Sequence, residues 1–596
     1  MFEKYRRLGL ATAAVALVTG LGLATAANAA PTSRGHRPGH GANMNIQLLS
    51  INDFHGNLEP PQGSSGTVTA SDGHGGTVQI PAGGVEYLAT HLKQARHGHR
   101  NSITVAAGDI IGASPLLSAA FHDEPTVEAM NKIGLEVTSV GNHEFDEGST
   151  ELLRMQHGGC RTDDGCYDPQ EPFTGADFQY LSANVVREDT GRTLLPPYWV
   201  KRIHGAKIGF IGMTLEGTPD IVTAEGVKGL KFLDEVETAN KVVPLLRKQG
   251  VKSIVVLLHE GGYPSGSTYD YDCDSGGPGS GISGPIVDIA KKLDPQIDVV
   301  ITGHTHQSYV CTIPDPAGRP RLVTSGSSFG RLYTEISLNY NRRTRDISRS
   351  SVSAHNVVVT QDVAKDAPLT DLVTRYQDLV APIANKEVGY VSADIPGGGA
   401  GTPESPLGDA ISDAQLEATA AGDAGGAQIA FMNPGGIRSD VTYAPSGSEG
   451  DGVVTYGEAF SVQPFNNYLT TMDLTGAQIL TLLQQQFSAA NAESPKVLQV
   501  SDGFTYTVDN ARSGADKVVA DSVKLDGTPL DPAASYRVTV NNFMAGGGDG
   551  FPVLTEGANR LDGGYDIDAF TAYLTAHSSA ASPFPPPAAD RITFVN

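Results

Sequence analysis

Short apolar runs of strand length recur along the first half of the chain, each closed by glycine or a polar residue. They are Ile46–Ile51, Ser102–Ala107, Val137–Val140, Tyr180–Ala183, Ile208–Gly212, Ser253–Leu258 and Asp298–Ile301. Between them, apolar positions at helical spacing predict helices from about Gly84 to His97, Glu124 to Ile133, Asp234 to Lys248 and Pro285 to Leu293. Such alternation predicts an α/β unit with helices covering a sheet. A Gly/Ser-rich stretch from Pro60 to Gly76 is expected to be a loop. The texture changes near Asn341, where three arginines precede a β-rich connector and one amphipathic helix over Pro368–Ile383. After a Gly/Pro-rich break at Pro396–Pro406, a helix over Leu407–Thr419 and strands over Ala427–Met432 and Tyr536–Val540 begin a second unit. The expected domains are therefore 44–340 and 386–596, joined by a linker with a hinge helix at 341–385.

Composition narrows the class. With 596 residues, 39% hydrophobic content, 70 Gly and 36 Pro, the chain is a loop-rich globular protein too long for one core. A formal charge of -24 argues against nucleic-acid polymers as partners, while small anions stay admissible beside bound cations. Lys4, Arg6 and Arg7, the apolar run Leu8–Leu23 and the small-residue end Ala27-Asn28-Ala29 form the pattern of a secretory signal over 1–29. A basic, unstructured arm is expected from Pro31 to about Asn43. No second spanning run follows and no anchoring tail closes the sequence, so a secreted protein without a stable membrane anchor is expected. Four cysteines suit that compartment, and of three possible pairings Cys160–Cys166 with Cys273–Cys311 is expected, each stapling one long loop. Nothing in the sequence assigns an oligomeric state.

The strands end in chemistry. Asp53 and His55 follow the first, Asp109 the second, and the stretch Gly141-Asn142-His143-Glu144-Phe145-Asp146 the third. His259 ends a later strand, and Gly303-His304-Thr305-His306 follows Ile301. A helix-alternating sheet gathers its strand ends on one edge, so these groups are placed to converge. Their mixture of imidazole, carboxylate and amide has enough donors for two divalent ions, and suits Zn, Mn, Fe or Co better than Ca.

In this order the motifs resemble the signature of the calcineurin-like metallophosphoesterases, and the longer forms Asn52–Gly56 and Gly141–Asp146 resemble its secreted 5'-nucleotidase branch. The resemblance implies a four-layer α/β/β/α metallophosphoesterase sandwich followed by a smaller α/β 5'-nucleotidase C-terminal domain. It implies that Asp53, His55, Asp109 and His306 hold one metal, and Asp109, Asn142, His259 and His304 the other. His143 would stabilise developing charge or protonate the leaving oxygen, with Asp146 orienting it.

Three patches in the second half carry information. Asn433–Arg438 offers a guanidinium after a strand, and Gln463–Asn467 and Asn541–Phe551 each set an aromatic ring in a polar loop. The resemblance implies that Asn433, Arg438, Phe465, Phe543 and Asp549 hold a nucleotide, the two rings clamping the base and Asp549 accepting ribose hydroxyls. One departure stands out, since the family carries one or more arginines where this chain has Pro403–Asp409. The expected activity is removal of a nucleotide's 5'-phosphate. A 2',3'-cyclic phosphodiesterase with 3'-nucleotidase activity, a nucleotide-sugar hydrolase, a thiosulfohydrolase and a secreted nucleotide-binding protein without turnover remain as alternatives.

Overall fold

The computed structural model describes residues 43–162, 165–166, 172–398 and 403–596. The signal segment 1–29 and the arm up to residue 42 lie outside the described residues.

Two sheets stack face to face. The first runs, in order, Asp346–Ile347, Leu332–Asn341, Asn43–Ile51, Ser102–Ala107, Val137–Ser139 and Gln179–Leu181, with Ser353–Val358 also paired to Leu332–Asn341. The second runs Ser308–Thr312, Leu322–Gly326, Val299–Thr302, Ser253–His259, Ala206–Thr214 and Tyr198–Ile203. The central strands of each are parallel and buried on both faces, which accounts for their unbroken apolar sequences. Leu48, Val105, Val137 and Ile336 of the first sheet share a core with Phe210, Val255, Leu257 and Ile301 of the second. On the outer face of the first sheet, Leu49 and Ile51 meet Leu88 and Leu92 of the helix Val85–Arg96 and Met130 of the helix Glu124–Ile133. On the outer face of the second, Ile254 and Val256 meet Val243 and Leu246 of the helix Glu235–Lys248 and Ile286 of the helix Pro285–Lys292. The layers are therefore helix, sheet, sheet, helix, as the sequence led us to expect.

One difference from the sequence reading is local. The stretch expected as a loop at Pro60–Gly76 contains Thr67–Ser71, which forms an antiparallel hairpin with Thr77–Pro81. Val68 and Ala70 point one apolar edge inward, Val68 against Leu332 and Val358, and the surrounding Gly and Ser hide that alternation. The β-rich connector after Asn341 supplies Ser353–Val358, which extends the first sheet.

The helix Ala367–Ala384 follows, and its residues Leu372, Val373, Tyr376 and Val380 belong to one continuous apolar cluster. That cluster also holds Leu88 and Phe121 from the first half and Leu407, Phe460 and Phe570 from the second. A five-stranded sheet then runs Gln499–Val500, Ile429–Met432, Ser535–Asn541, Tyr468–Thr475 and Ala558–Tyr565. The helix Gly476–Gln485 closes a separate core on it through Ile479, Leu482 and Leu483. Both expected disulfides are formed, Cys160–Cys166 and Cys273–Cys311.

Arg321 is fully buried at the end of the helix Pro285–Lys292. Its guanidinium donates to the carbonyls of Ala290 and Leu293 at the helix terminus and of Asp294 and Ile297 just beyond it, the Asp294 carbonyl also accepting the Ile297 N–H. Arg321→Met is expected to destabilise the fold by about 3 kcal/mol or more, since buried carbonyls lose charged donors. A change below about 1 kcal/mol in urea unfolding would show that the carbonyls find other partners.

Candidate active site

Parallel neighbours end at the same edge, and the two stacked sheets bring their ends together. Backbone and side chain tie them across the gap. The His259 ring uses Nδ1 to donate to the Ala107 carbonyl at 2.8 Å, and the His304 N–H donates to Asp53 Oδ1 at 2.9 Å. As a result all seven residues expected from the strand ends meet. His55 Nε2 lies 3.1 Å from His306 Nε2 and 3.7 Å from Asp109 Oδ2, and His306 Nε2 lies 3.4 Å from Asp53 Oδ1. His259 Nε2 lies 2.9 Å from Asp109 Oδ2 and 3.2 Å from Asn142 Oδ1, which in turn is 3.0 Å from His304 Nδ1.

The backbone turns sharply to aim these groups. Asp53, His55, Asp109, His304 and His306 all sit at positive φ, between +47° and +72°, in the left-handed region. Each such position costs a non-glycine residue about 1–2 kcal/mol, so the surrounding fold must hold them there. Close approach also explains the glycines of the motifs. A Cβ on Gly141 would lie 2.1 Å from Asp109 Oδ1, and one on Gly108 would lie 2.7 Å from His259 Nδ1.

Glu144, which sequence reasoning left without a role, is buried and accepts the backbone N–H groups of Asp109, Ile110 and Gly141. One carboxylate thus locks the second and third strand ends to each other. Its acidic place in the Asn-His-Glu motif was visible, but its use on the backbone had no sequence signal.

The electrostatics fit cations. Burial, with Asp109 adding to it, raises Asp53 to about 7. Asp109 is buried too, yet the imidazoles of His259, His143 and His55 pull its carboxyl well below the usual range. Burial lowers His55 and His306 well below the usual imidazole value and His304 to about 3, leaving neutral rings. With Nδ1 of His55 donating to the Gly112 carbonyl and Nδ1 of His259 to Ala107, both Nε2 atoms present lone pairs inward. Those lone pairs face carboxylate and amide oxygens. Either a proton or a metal ion must stand between such atoms, and Asp109 accordingly lifts buried His259 to about 10. Three of the four clusters among the described residues whose donor atoms are close enough to share an ion lie here: Asp53, His55 and His306; Asp109, His259 and His304; and His55, Asp109 and His143. Neutral imidazoles and carboxylates in buried clusters are the donor set of a dimetal phosphoesterase site.

Beside this cage His143 donates from its backbone to Asp109 Oδ1 at 2.9 Å, and its Nδ1 lies 2.7 Å from Asp146 Oδ2. Asp146 therefore holds the ring rather than capping the following helix, whose N-cap is Glu147. Burial works against charge on His143, but Asp146 and Asp109 raise it above the usual value. Its ring stacks on Phe465, centroids 5.8 Å apart and planes 24° apart, and Arg438 lies over the same Phe465 ring. Arg438 Nη2 is buried without a hydrogen-bond partner among the described residues, in the field of Asp109, Asp146 and Asp53.

The other expected substrate residues form a neighbouring cluster. Asn433 Nδ2 donates to Asp549 Oδ2 at 2.7 Å, and Phe543 lies over Gly548, where a Cβ would come within 2.4 Å of the ring. Three further residues escaped the sequence reading. Lys496 pairs with Asp549 Oδ1 at 2.6 Å, Asn541 donates to Asn433 Oδ1 at 2.9 Å, and Asn491 donates to the Asp549 carbonyl at 2.9 Å. The departing segment Pro403–Asp409 serves another end. Glu404 accepts the backbone N–H groups of Arg591 and Ile592, and Arg591 forms a two-toothed pair with Asp413 at 2.7 and 2.8 Å. Asp409 sits buried in that group, its Oδ2 3.6 Å from Arg591 Nε, and neither carboxyl oxygen has a hydrogen-bond partner among the described residues.

With the geometry in place, comparison with known proteins is informative. Residues 46–308 match the family described as calcineurin-like phosphoesterase, and residues 384–556 match the 5'-nucleotidase C-terminal domain. A cell wall protein of Listeria monocytogenes, Lmo0130, is 34% identical over 90% of this chain and 67% of its own length. Endonuclease YhcR of Bacillus subtilis is 32% identical over 89% of this chain, which spans only 39% of that relative. The crystal structure of a 5'-nucleotidase precursor from Thermus thermophilus superposes with a TM-score of 0.73 at 27% identity, over 93% of this chain and 100% of that one. The chain belongs to the 5'-nucleotidase family, metallophosphoesterases in which a calcineurin-like phosphoesterase domain precedes a 5'-nucleotidase C-terminal domain. Because one relative bears the name endonuclease, the exclusion of nucleic-acid polymers drawn from net charge has no support.

Glu144→Gln is expected to weaken binding of divalent cations by about tenfold to a hundredfold in calorimetric titration, because the carboxylate orients the ligand-bearing loops. Unchanged affinity would show that those loops stand without it. A second expectation concerns pH. Burial and the adjacent Glu404 raise Asp409 to about 8, so it keeps its proton in the fold while the unfolded chain loses it near the ordinary value of about 4. Its contribution to stability is full below that lower value and is lost as pH rises towards 8. Asp409→Asn should flatten the decline of unfolding free energy between about pH 5 and 8.5; an unaltered slope would assign the decline to other groups.

Proposed function

We propose that the protein is an extracytoplasmic, dinuclear metal-dependent phosphohydrolase that removes the 5'-phosphate of nucleotides, giving nucleoside and phosphate. The observation that carries this reading is the contact of His143, at the donor cage, with Phe465, contributed by the second half. It sets an aromatic ring and a guanidinium beside the place where a phosphate would bind. The two disulfides and the cell-wall relative support a location outside the cytoplasm.

In this reading Asp53, His55, Asp109 and His306 would hold one ion, and Asp109, Asn142, His259 and His304 the other. Bound there, a pair of divalent ions supplies Lewis acidity for the phosphoryl oxygens and lowers the pKa of water. The chain's own residues do the rest. Asp146 fixes Nδ1 of His143, so Nε2 is the atom that presents a proton to the leaving oxygen. Arg438 directs its unpartnered Nη2 to the phosphate. Phe465 and Phe543 clamp the base, and Asn433 steadies Asp549 for the ribose hydroxyls. The halves 44–340 and 386–596 would adjust to substrate about the linker 341–385.

A cavity of about 550 Å³ beside Gly56, Phe329 and Arg438 favours a second reading, in which the phosphate carries a larger group such as a sugar. Chromatographic identification of the products formed from AMP, a 2',3'-cyclic nucleotide, a nucleotide sugar, a plain phosphate ester and single-stranded DNA separates these readings. AMP is expected to be the preferred substrate, giving adenosine and phosphate, and hydrolysis of none of them would leave a nucleotide-binding protein. His143→Ala should lower kcat by about 10²- to 10⁴-fold with a smaller change in KM, as loss of a general acid does. Asp146→Asn should cost less than His143→Ala; an equal KM effect in both variants would instead mark the pair as a binding element.

A further inference from the structure

We infer that Lys496 is a specificity residue that reads the sugar edge of the nucleotide together with Asp549, taking a vicinal diol between an ammonium donor and a carboxylate acceptor. This rests on the nucleotide reading above and adds a residue to it.

The Asp549 carboxylate is nearly buried, and both of its oxygens already receive protein donors, Lys496 Nζ at 2.6 Å and Asn433 Nδ2 at 2.7 Å. Asn433 is itself fixed by Asn541, and the Asp549 carbonyl by Asn491. Asp549 also holds left-handed backbone at φ +59°, so its place is set by several contacts besides the lysine. A lysine is thus not required to hold the carboxylate. What it adds is charge and free donors. An ammonium has three donors, of which Asp549 takes one, and a carboxylate accepts about four hydrogen bonds, of which two are used. The Lys496 side chain keeps 30% of its surface exposed against 9% for Asp549, so it is the more accessible member of the pair.

A cis diol matches this mixed pair. One hydroxyl donates to Asp549 while accepting from Lys496, and its neighbour completes the pattern. A sugar lacking either hydroxyl forfeits a hydrogen bond to a charged group, and a site built for a hydroxyl discriminates strongly against its absence. Lys496 also supplies a cation on the nucleoside side, where the segment Pro403–Asp409 is turned to the C-terminal strand and supplies none.

The test compares kcat/KM for AMP with kcat/KM for 2'-deoxy-AMP and 3'-deoxy-AMP, in the metal-loaded wild type, Lys496→Met and Lys496→Arg. The wild type is expected to prefer AMP over at least one deoxy analogue by about tenfold or more, the effect of a charged hydrogen bond. That ratio should fall towards one in Lys496→Met and be largely kept in Lys496→Arg. An unchanged ratio in Lys496→Met, or an equal loss on ribo and deoxy substrates, overturns the inference while leaving the phosphohydrolase reading intact. A wild-type protein that releases no phosphate from AMP overturns the parent reading and this one with it.

Discussion

Seven donor atoms and their neighbours are forced into a space from which water is largely removed, with lone pairs pointed at lone pairs. That crowding is the constraint on which the molecule depends. Left to themselves, Asp53, Asp109, His55, His259, His304 and His306 would repel or take up protons, and five of the site residues also occupy backbone conformations they would not choose. The stacked sheets can impose this because their interior is large and continuous, from Leu48 and Val105 to Leu257 and Ile301. Cations convert the same crowding from a cost into a coordination sphere.

Much of this was legible in the sequence because several of the converging residues follow closely on an apolar run. Asp53 after Ile51, Asp109 after Ala107 and His259 after Leu258 mark their own positions. The periodicity of the covering helices gave their ends to within a residue or two, as at Glu124–Ile133. What stayed hidden follows another rule. Glu144 works on three backbone N–H groups, and Lys496, Asn491 and Asn541 act through contacts between segments far apart in the chain. Pairings of that kind leave no periodic trace. The Thr67–Pro81 hairpin was missed for a different reason, since only Val68 and Ala70 are buried in a stretch dominated by small residues.

The second half explains why a cage of donor atoms is not by itself a choice of substrate. Its loops bring Phe465 and Arg438 to His143 and assemble a polar cluster about Asp549. Within that cluster the Asp549 carboxylate is paired with the Lys496 ammonium although the chain carries -24 overall.

The apolar face of the helix Ala367–Ala384 is seated in a cluster that both halves complete. It is thus a packed element and not a stretch of solvated chain. A displacement of one half against the other would have to keep Leu372, Val373 and Tyr376 covered, which favours the sliding of packed surfaces over wide opening.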